Sequence, residues 1–408
     1  MYRMLQKLLR IISIASHELY EIVHDHGVLT FILLLPLGYP LVYGAIYHTE
    51  AMSDVPTAVV DDSKSQAARE FARRLDATQG AKVVQFCTDM DEAVELMREM
   101  KVFAIVRIPE SFGRDIVAER QTRIGMYINM ASSLYYKSVL LATNMTVLDM
   151  NKDITVRYMG VGTRRQDEVS RQPVKYCYTP LYNTQSGFAT FLVPPVLMLI
   201  LQQTLLLGIG MSMGRARESY RRKMHSLQQL YTRPAEIIIG KGIPYFALYM
   251  IMAVYMFTFV TWLFDLPSLG DYVTFIALMV PYLLACIFMG SVLSCLVYRR
   301  EDCIMIFVSL SVPMLFVSGI VWPASHEPAF WRYLGYCIPS TFGMHAYVRI
   351  NNMGASFADV YPEFRALWIQ AGIYFAVACL LYRWRLSLIK KKLITLFEGD
   401  YENERLSI

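Results

Sequence analysis

The stretch Val28-Leu-Thr-Phe-Ile-Leu-Leu-Leu-Pro-Leu-Gly-Tyr-Pro-Leu-Val-Tyr-Gly-Ala-Ile-Tyr47 decides how the rest of the chain is read. It carries no charge and is long enough, as a helix, to cross about 30 Å of hydrocarbon. It stands alone: a charged, mixed stretch over 49–183 follows it. Five more apolar runs then come in close succession, at Gly187–Ile209, Ile243–Phe264, Tyr272–Tyr298, Cys303–Trp322 and Ala366–Tyr382. This one-plus-five layout predicts an α-helical membrane protein with six transmembrane helices. An N-terminal interfacial helix precedes them, and an α/β extracytoplasmic domain is inserted between spans one and two.

Composition agrees with that reading. The 408 residues are 55% hydrophobic and 18% charged, with mean hydropathy +0.34. Soluble domains sit near about 45–50% apolar and about 25% charged. The first apolar run is preceded by Glu18, Glu21 and Asp25 and is followed by no small-x-small site, so no cleavable signal peptide is expected. The expected segments are an interfacial helix over 1–26, the first span over 27–48, and the α/β domain over 49–183. Spans two to six follow over 184–382, with a coupling loop at 211–242 and outer re-entrant helices at 323–363. A cytoplasmic tail over 383–408 ends the chain.

Lys and Arg set the expected orientation. Arg3, Lys7 and Arg10 precede the first span, and Arg215, Arg217, Arg221, Arg222, Lys223, Arg233 and Lys241 crowd the 211–242 loop. Arg383, Arg385 and Lys390 to Lys392 lie in the tail, whereas 265–271 has two acids and no base. The positive-inside rule puts both termini in the cytoplasm and the insert outside, since long domains cross regardless of charge. The net charge of +5 therefore follows from topology and implies no nucleic-acid partner.

The insert alternates between strand and helix patterns. Thr57–Asp61, Ala81–Phe86, Phe103–Ile108 and Ile124–Asn129 read as strands, and Gln66–Leu75, Asp89–Met100 and a stretch from Leu134 to about Tyr158 read as helices. Asp61-Asp62 invites a metal or acid–base reading, but no His, Glu or Gly-rich loop accompanies it. A turn whose carboxylates bind local amides is favoured. Seven cysteines are scattered without a CxxC; a Cys87–Cys177 disulfide is one option, and those in the spans read as packing residues.

The six runs contain no Asp, Glu, Lys, Arg or His. Ion-coupled carriers place such groups within the membrane as relays. The polar groups are mild, among them Gln202, Gln203 and Thr204 in the second run, Ser291 and Ser294 in the fourth, Ser309, Ser311 and Ser318 in the fifth, and Gln370 in the sixth. They line a path or bond helix to helix; for Gln202-Gln203, two adjacent amides in a span are costly unless satisfied. Gly240-Lys241 lacks the glycine and hydroxyl of a phosphate loop, since Ala235 and Gly242 stand in their places. Any energy for work must come from another polypeptide.

One ordered set of residues resembles a known family. Arg217-Glu218, Leu230, Pro234 and Gly240-Lys241 follow the order found in the first cytoplasmic loop of ABC-2 type permeases, with Arg222-Lys223-Met224 where that family usually has Gly-Thr. His17-Glu18-Leu19 to Gly27 resembles its amphipathic helix before the first span. Val317 to Pro323, Pro328 and Ile338-Pro339 resemble its fifth span and outer helices. Val59 to Asp62 and Ile108 to Phe112 resemble the extracytoplasmic domain of the exporter subgroup. Independently, Leu5, Leu8, Ile12, Ala15, Leu19 and Ile22 form a stripe suited to a helix in the membrane interface, or to one packed on a partner.

The resemblance implies a permease subunit of an ATP-binding-cassette exporter in a bacterial inner membrane, with no enzyme activity and no cofactor of its own. ATP and Mg would sit on partner ABC ATPase subunits. Tyr220, Met224, Leu227 and Tyr231 share a helical spacing suited to docking on the ATPase, with Arg217, Arg221 and Arg222 at the rim; the basic cluster also suits anionic lipid, but Glu218 and the apolar stripe favour docking. Expected ATPase-coupling residues are Arg217, Glu218, Arg221, Arg222, Met224, Leu227, Leu230 and Tyr231. Expected substrate-path residues are Gln202, Gln203, Ser309 and Ser318. A second permease, identical or homologous, a periplasmic adaptor and an outer-membrane channel complete the expected partners, and the cargo is an amphiphile or drug. Two rival classes are a membrane scaffold or sensor with a ligand-binding outer domain, and a lipid enzyme using His326, Glu327 and His345.

Overall fold

The computed structural model describes residues 2–48, 52–131, 133–159, 166, 181–183, 187–222, 233–295, 297 and 299–406, with the backbone alone for 2–4, 133, 159, 216–222, 300 and 389–406. The chain divides into two compact units, Met1–His48 with Leu181–Ile408, and Thr49–Pro180.

The first unit begins with α1 (Tyr2–His24). Its residues fall on three faces. Glu18 and Ile22 are buried and Ile11 and Ile14 half-buried on one; Leu5, Leu8, Leu9, Ile12 and Leu19 are exposed on the next; Gln6, Arg10, Ser13 and His17 make the third. The stripe expected from spacing is thus split, with Ile22 packed inside and its leucines left open. Helix α2 (His26–Tyr47) follows at once, because Asp25 caps it by accepting from the Gly27 and Val28 amides at 3.0 and 3.3 Å. A π-helical turn runs over Thr30–Leu34, just ahead of Pro36 and Pro40, each of which removes a backbone donor.

The second unit holds β1 (Val55–Asp61), α3 (Gln66–Asp76), β2 (Ala81–Cys87), α4 (Met90–Arg98), β3 (Ala104–Ile108), α5 (Phe112–Val117), β4 (Gly125–Ile128) and α6 (Ser133–Met159). The sheet order is β2-β1-β3-β4; β1 is parallel to both neighbours and β4 antiparallel to β3. Alternation along β1 explains why it is central. Val59 joins Phe71, Leu75 and Ala142 on one face, while Ala58 and Val60 join Ala93 and Ile105 on the other. Ser65 and Asp89 cap α3 and α4 through the Ala68 and Glu92 amides. The strands and long helices stand where their periodicity put them; α5, six residues long, is too short for periodicity to reveal.

The chain of the first unit resumes in α7 (Phe188–Arg222), α8 (Pro234–Leu263), α9 (Tyr272–Ser294), α10 (Arg300–Phe316), α11 (Ala329–Gly335), α12 (Pro339–Met353) and α13 (Tyr361–Leu406). Helix α7 lies at the centre: Val193, Leu197, Leu201 and Leu205 are fully buried among α9, α10 and α12. Close approach needs glycine here. A Cβ on Gly208 would lie 2.4 Å from Ile32, and one on Gly343 2.6 Å from Tyr282.

Among the described residues, five helices are long and apolar enough to cross a membrane: α2, α7, α8, α9 and α13. The run expected as a fifth span over Cys303–Trp322 is a helix of 17 residues that stops at Phe316. The reason is local: Gly319 takes φ +78, which turns the chain out of the helix before Trp322. By contrast α7, α8 and α13 run past their apolar stretches, because hydropathy marks the apolar part of a helix and not its polar ends.

Candidate functional site: an acid–base cluster joining α1, α7 and α8

Glu18 sits on the packed face of α1 and is 4% exposed. Its carboxylate pairs with Lys241 Nζ of α8 at 2.9 Å. It also accepts from Ser212 Oγ of α7 at 2.7 Å and from the Tyr245 hydroxyl of α8 at 3.0 Å. Burial pushes the Glu18 carboxyl up, but the Lys241 charge and the hydrogen bonds from Lys241, Ser212 and Tyr245 outweigh it, so its pKa lies below the ordinary value. Glu18 is therefore held as an anion.

A second pairing extends the cluster. Arg215, one turn beyond Ser212, meets Asp25 at 2.9 Å and Glu21 at 3.5 Å. Asp25 thus caps α2 and binds α7 with the same side chain. Glycine brings the backbones together: a Cβ on Gly240 would lie 2.9 Å from the Ile14 side chain and 3.1 Å from the Ile11 carbonyl. Three helices are fastened at one level by charge-assisted bonds, which are roughly twice as strong as neutral ones. Spacing carries a signal for this: Glu18, Glu21 and Asp25 fall at i, i+3 and i+7 and share one helical face. The sequence sets them against a signal peptide and inside the stretch that resembles the family's entry helix, and neither reading names their partners.

Residues 26–380 match the family described as ABC-2 family transporter protein. The chain belongs to the ABC-2 family. One similar protein is ABC transporter G family member 20 of Dictyostelium discoideum, 20% identical over 387 residues that cover 93% of this chain and 52% of that protein. The chain spans about half the length of the curated relative it matches.

In this ABC-2 protein, Arg217, Glu218, Arg221 and Arg222 continue the backbone of α7, and nothing is described of their side chains. Met224, Leu227, Leu230 and Tyr231 lie outside the described residues, as does Cys177. Gln202 and Gln203 are buried on α7 and point their amide nitrogens at Met314 Sδ, at 3.5 and 3.0 Å. Ser318 is buried; its hydroxyl donates to the Leu315 carbonyl and its own carbonyl faces His345 Nε2 at 2.8 Å. Ser309 is exposed on α10, apart from the glutamines' hydrogen bonds.

The other candidates take ordinary structural places. Asp61 accepts from the Ser63 and Lys64 amides, and Asp62 pairs with Arg107 at 2.8 Å, so the pair forms a satisfied turn. His326 bonds to Ser325 and His345 to Ser318, and no hydrogen bond among the described residues links His326, Glu327 and His345. Among the described residues no three His, Cys, Asp or Glu side chains converge as a metal site.

Proposed function

We propose that this chain is the membrane permease of an ATP-binding-cassette exporter that moves an amphiphilic cargo out of the cell. Family membership supports a transport role. The observation that carries the mechanism is the Glu18–Lys241 pair with its Ser212 and Tyr245 bonds. It ties α1 to both helices that flank the segment 223–232.

A push on that segment reaches α7 and α8 at their polar ends. The buried cluster spreads it to α1, and Asp25 passes it to α2. Such a junction behaves as one lever, because breaking a buried pair leaves an uncompensated charge. ATP and Mg would be held by partner ATPase subunits, which supply the push. A second permease copy or homologue would face this one across the path, in six spans with α10 as the fifth and both termini in the cytoplasm. The unit over Thr49–Pro180 would stand outside the membrane, where a periplasmic adaptor and outer-membrane channel suit a bacterial two-membrane envelope.

Replacing Leu227 and Leu230 by Asp tests the reading. The tagged variant should lose the ATPase in a pull-down and retain wild-type amounts of itself in the membrane. Co-purification of the ATPase at wild-type yield sinks the docking role.

A further inference from the structure

The short connection between α11 and α12, residues 336–338, and the first turn of α12 are held from two sides by buried amides. Ser340 N–H donates to Gln202 Oε1 of α7 at 2.7 Å. On the other side Gln370 Nε2 of α13 donates to the Tyr336 carbonyl at 2.7 Å, and the Tyr374 hydroxyl donates to the Cys337 carbonyl. The arrangement has a local cause. Ile338, at the N-cap of α12, has no side chain able to cap, and Pro339 has no amide to offer. The cap is therefore supplied by a glutamine 138 residues away.

This place also holds unused hydrogen-bonding capacity. Gln203 Oε1, Ser340 Oγ, Thr341 Oγ1 and Gln370 Oε1 are all buried and have no partner among the described residues. A purely structural cap in an apolar setting has its neighbours satisfied, because each orphan polar group costs free energy. Spare polar atoms on α7, α12 and α13, the three helices whose bonds hold this junction, leave a second hydrogen-bond arrangement available to it.

We propose that Gln202 is a positioning residue that latches the α11–α12 junction against α7, and that releasing Ser340 N–H opens this end of the transport path. The proposal rests on the exporter reading for its purpose, but not for its test. Ser340 is fully buried, so Ser340→Cys reports the state of the latch. Protein in lipid nanodiscs, without ATP, is treated with a small maleimide and the modified cysteines are mapped by mass. With Gln202 present, Ser340→Cys should react slowly. Adding Gln202→Ala should speed it about tenfold, the factor that one lost buried hydrogen bond represents. Gln202→Glu keeps an acceptor oxygen and should restore slow labelling.

Gln370→Leu frees the other side and should act in the same direction, which keeps the test available if Gln202→Ala does not fold. Buried Cys303 reports general loosening. Equal rates with Gln202 and with Gln202→Ala, or a gain matched at Cys303, overturn the latch. Cargo movement from ATP-loaded vesicles tests the exporter reading separately, so either can fail alone.

Discussion

Glu18 of α1 and Lys241 of α8 face each other at 2.9 Å, with side chains 5% and 14% exposed. Neither charge has bulk water to fall back on, so each depends on the other. The stability of the helix junction and its response to acid both follow from this one pair.

Lys241→Met should cost about 3–5 kcal/mol, the usual penalty for leaving a buried carboxylate without its partner. Glu18→Gln combined with Lys241→Met should recover much of that loss. Apparent melting temperatures of the four proteins in one detergent close the double-mutant cycle. Additive losses would mean that the two residues do not interact.

The depressed pKa of Glu18 predicts an acid-sensitive junction. A group with a lowered folded pKa contributes stability that is fully present above its unfolded value and is lost as pH falls through the folded one. The ordinary value for a Glu carboxyl is 4.5, so the loss begins near there and continues below it. Melting temperature should be flat above that point and fall below it. Glu18→Gln should melt lower at neutral pH but show a shallower acid slope; parallel slopes would remove Glu18 from the effect.

Gly240→Val should separate α1 from α8. A Cβ there lies 3.1 Å from the Ile11 carbonyl, which is backbone and cannot turn aside. Overpacking of this kind costs about 1–3 kcal/mol. The lost α1 contact should show as faster protease cleavage within α1, with the Thr49–Pro180 unit unaffected. Unchanged cleavage would show that α1 yields without detaching.

The exposed leucines of α1 should face lipid. Leu8→Trp should be quenched strongly by brominated lipid and Ser13→Trp weakly, because the two positions lie on different faces of the helix. Equal quenching would place the helix in water or in a protein interface.

Much of the fold is legible in local pattern. Apolar runs mark the five membrane-length helices found among the described residues, and the short apolar run Thr57–Asp61 marks β1 as a buried strand. The α10 helix is shorter than its apolar run because Gly319 adopts a positive φ, a conformation that hydropathy does not encode. The candidate site was only half legible. Gly240-Lys241 and His17-Glu18-Leu19 both stand out as motifs in the sequence, but nothing local says that the carboxylate of one meets the cation of the other.

The sequence by itself determined the class of protein, the element types, the two-part organisation of the chain and the family resemblance. The first three rest on composition or on periodicity within a few turns, and the resemblance rests on motifs that follow one another in a set order along the chain. Only the tertiary structure decided that Glu18 meets Lys241, that the α1 stripe divides between protein and open face, and that Gln202 caps a helix 138 residues away. Those are choices of partner between elements. They depend on which faces come together so that most buried polar groups find a partner, and that condition is set by the whole packed molecule.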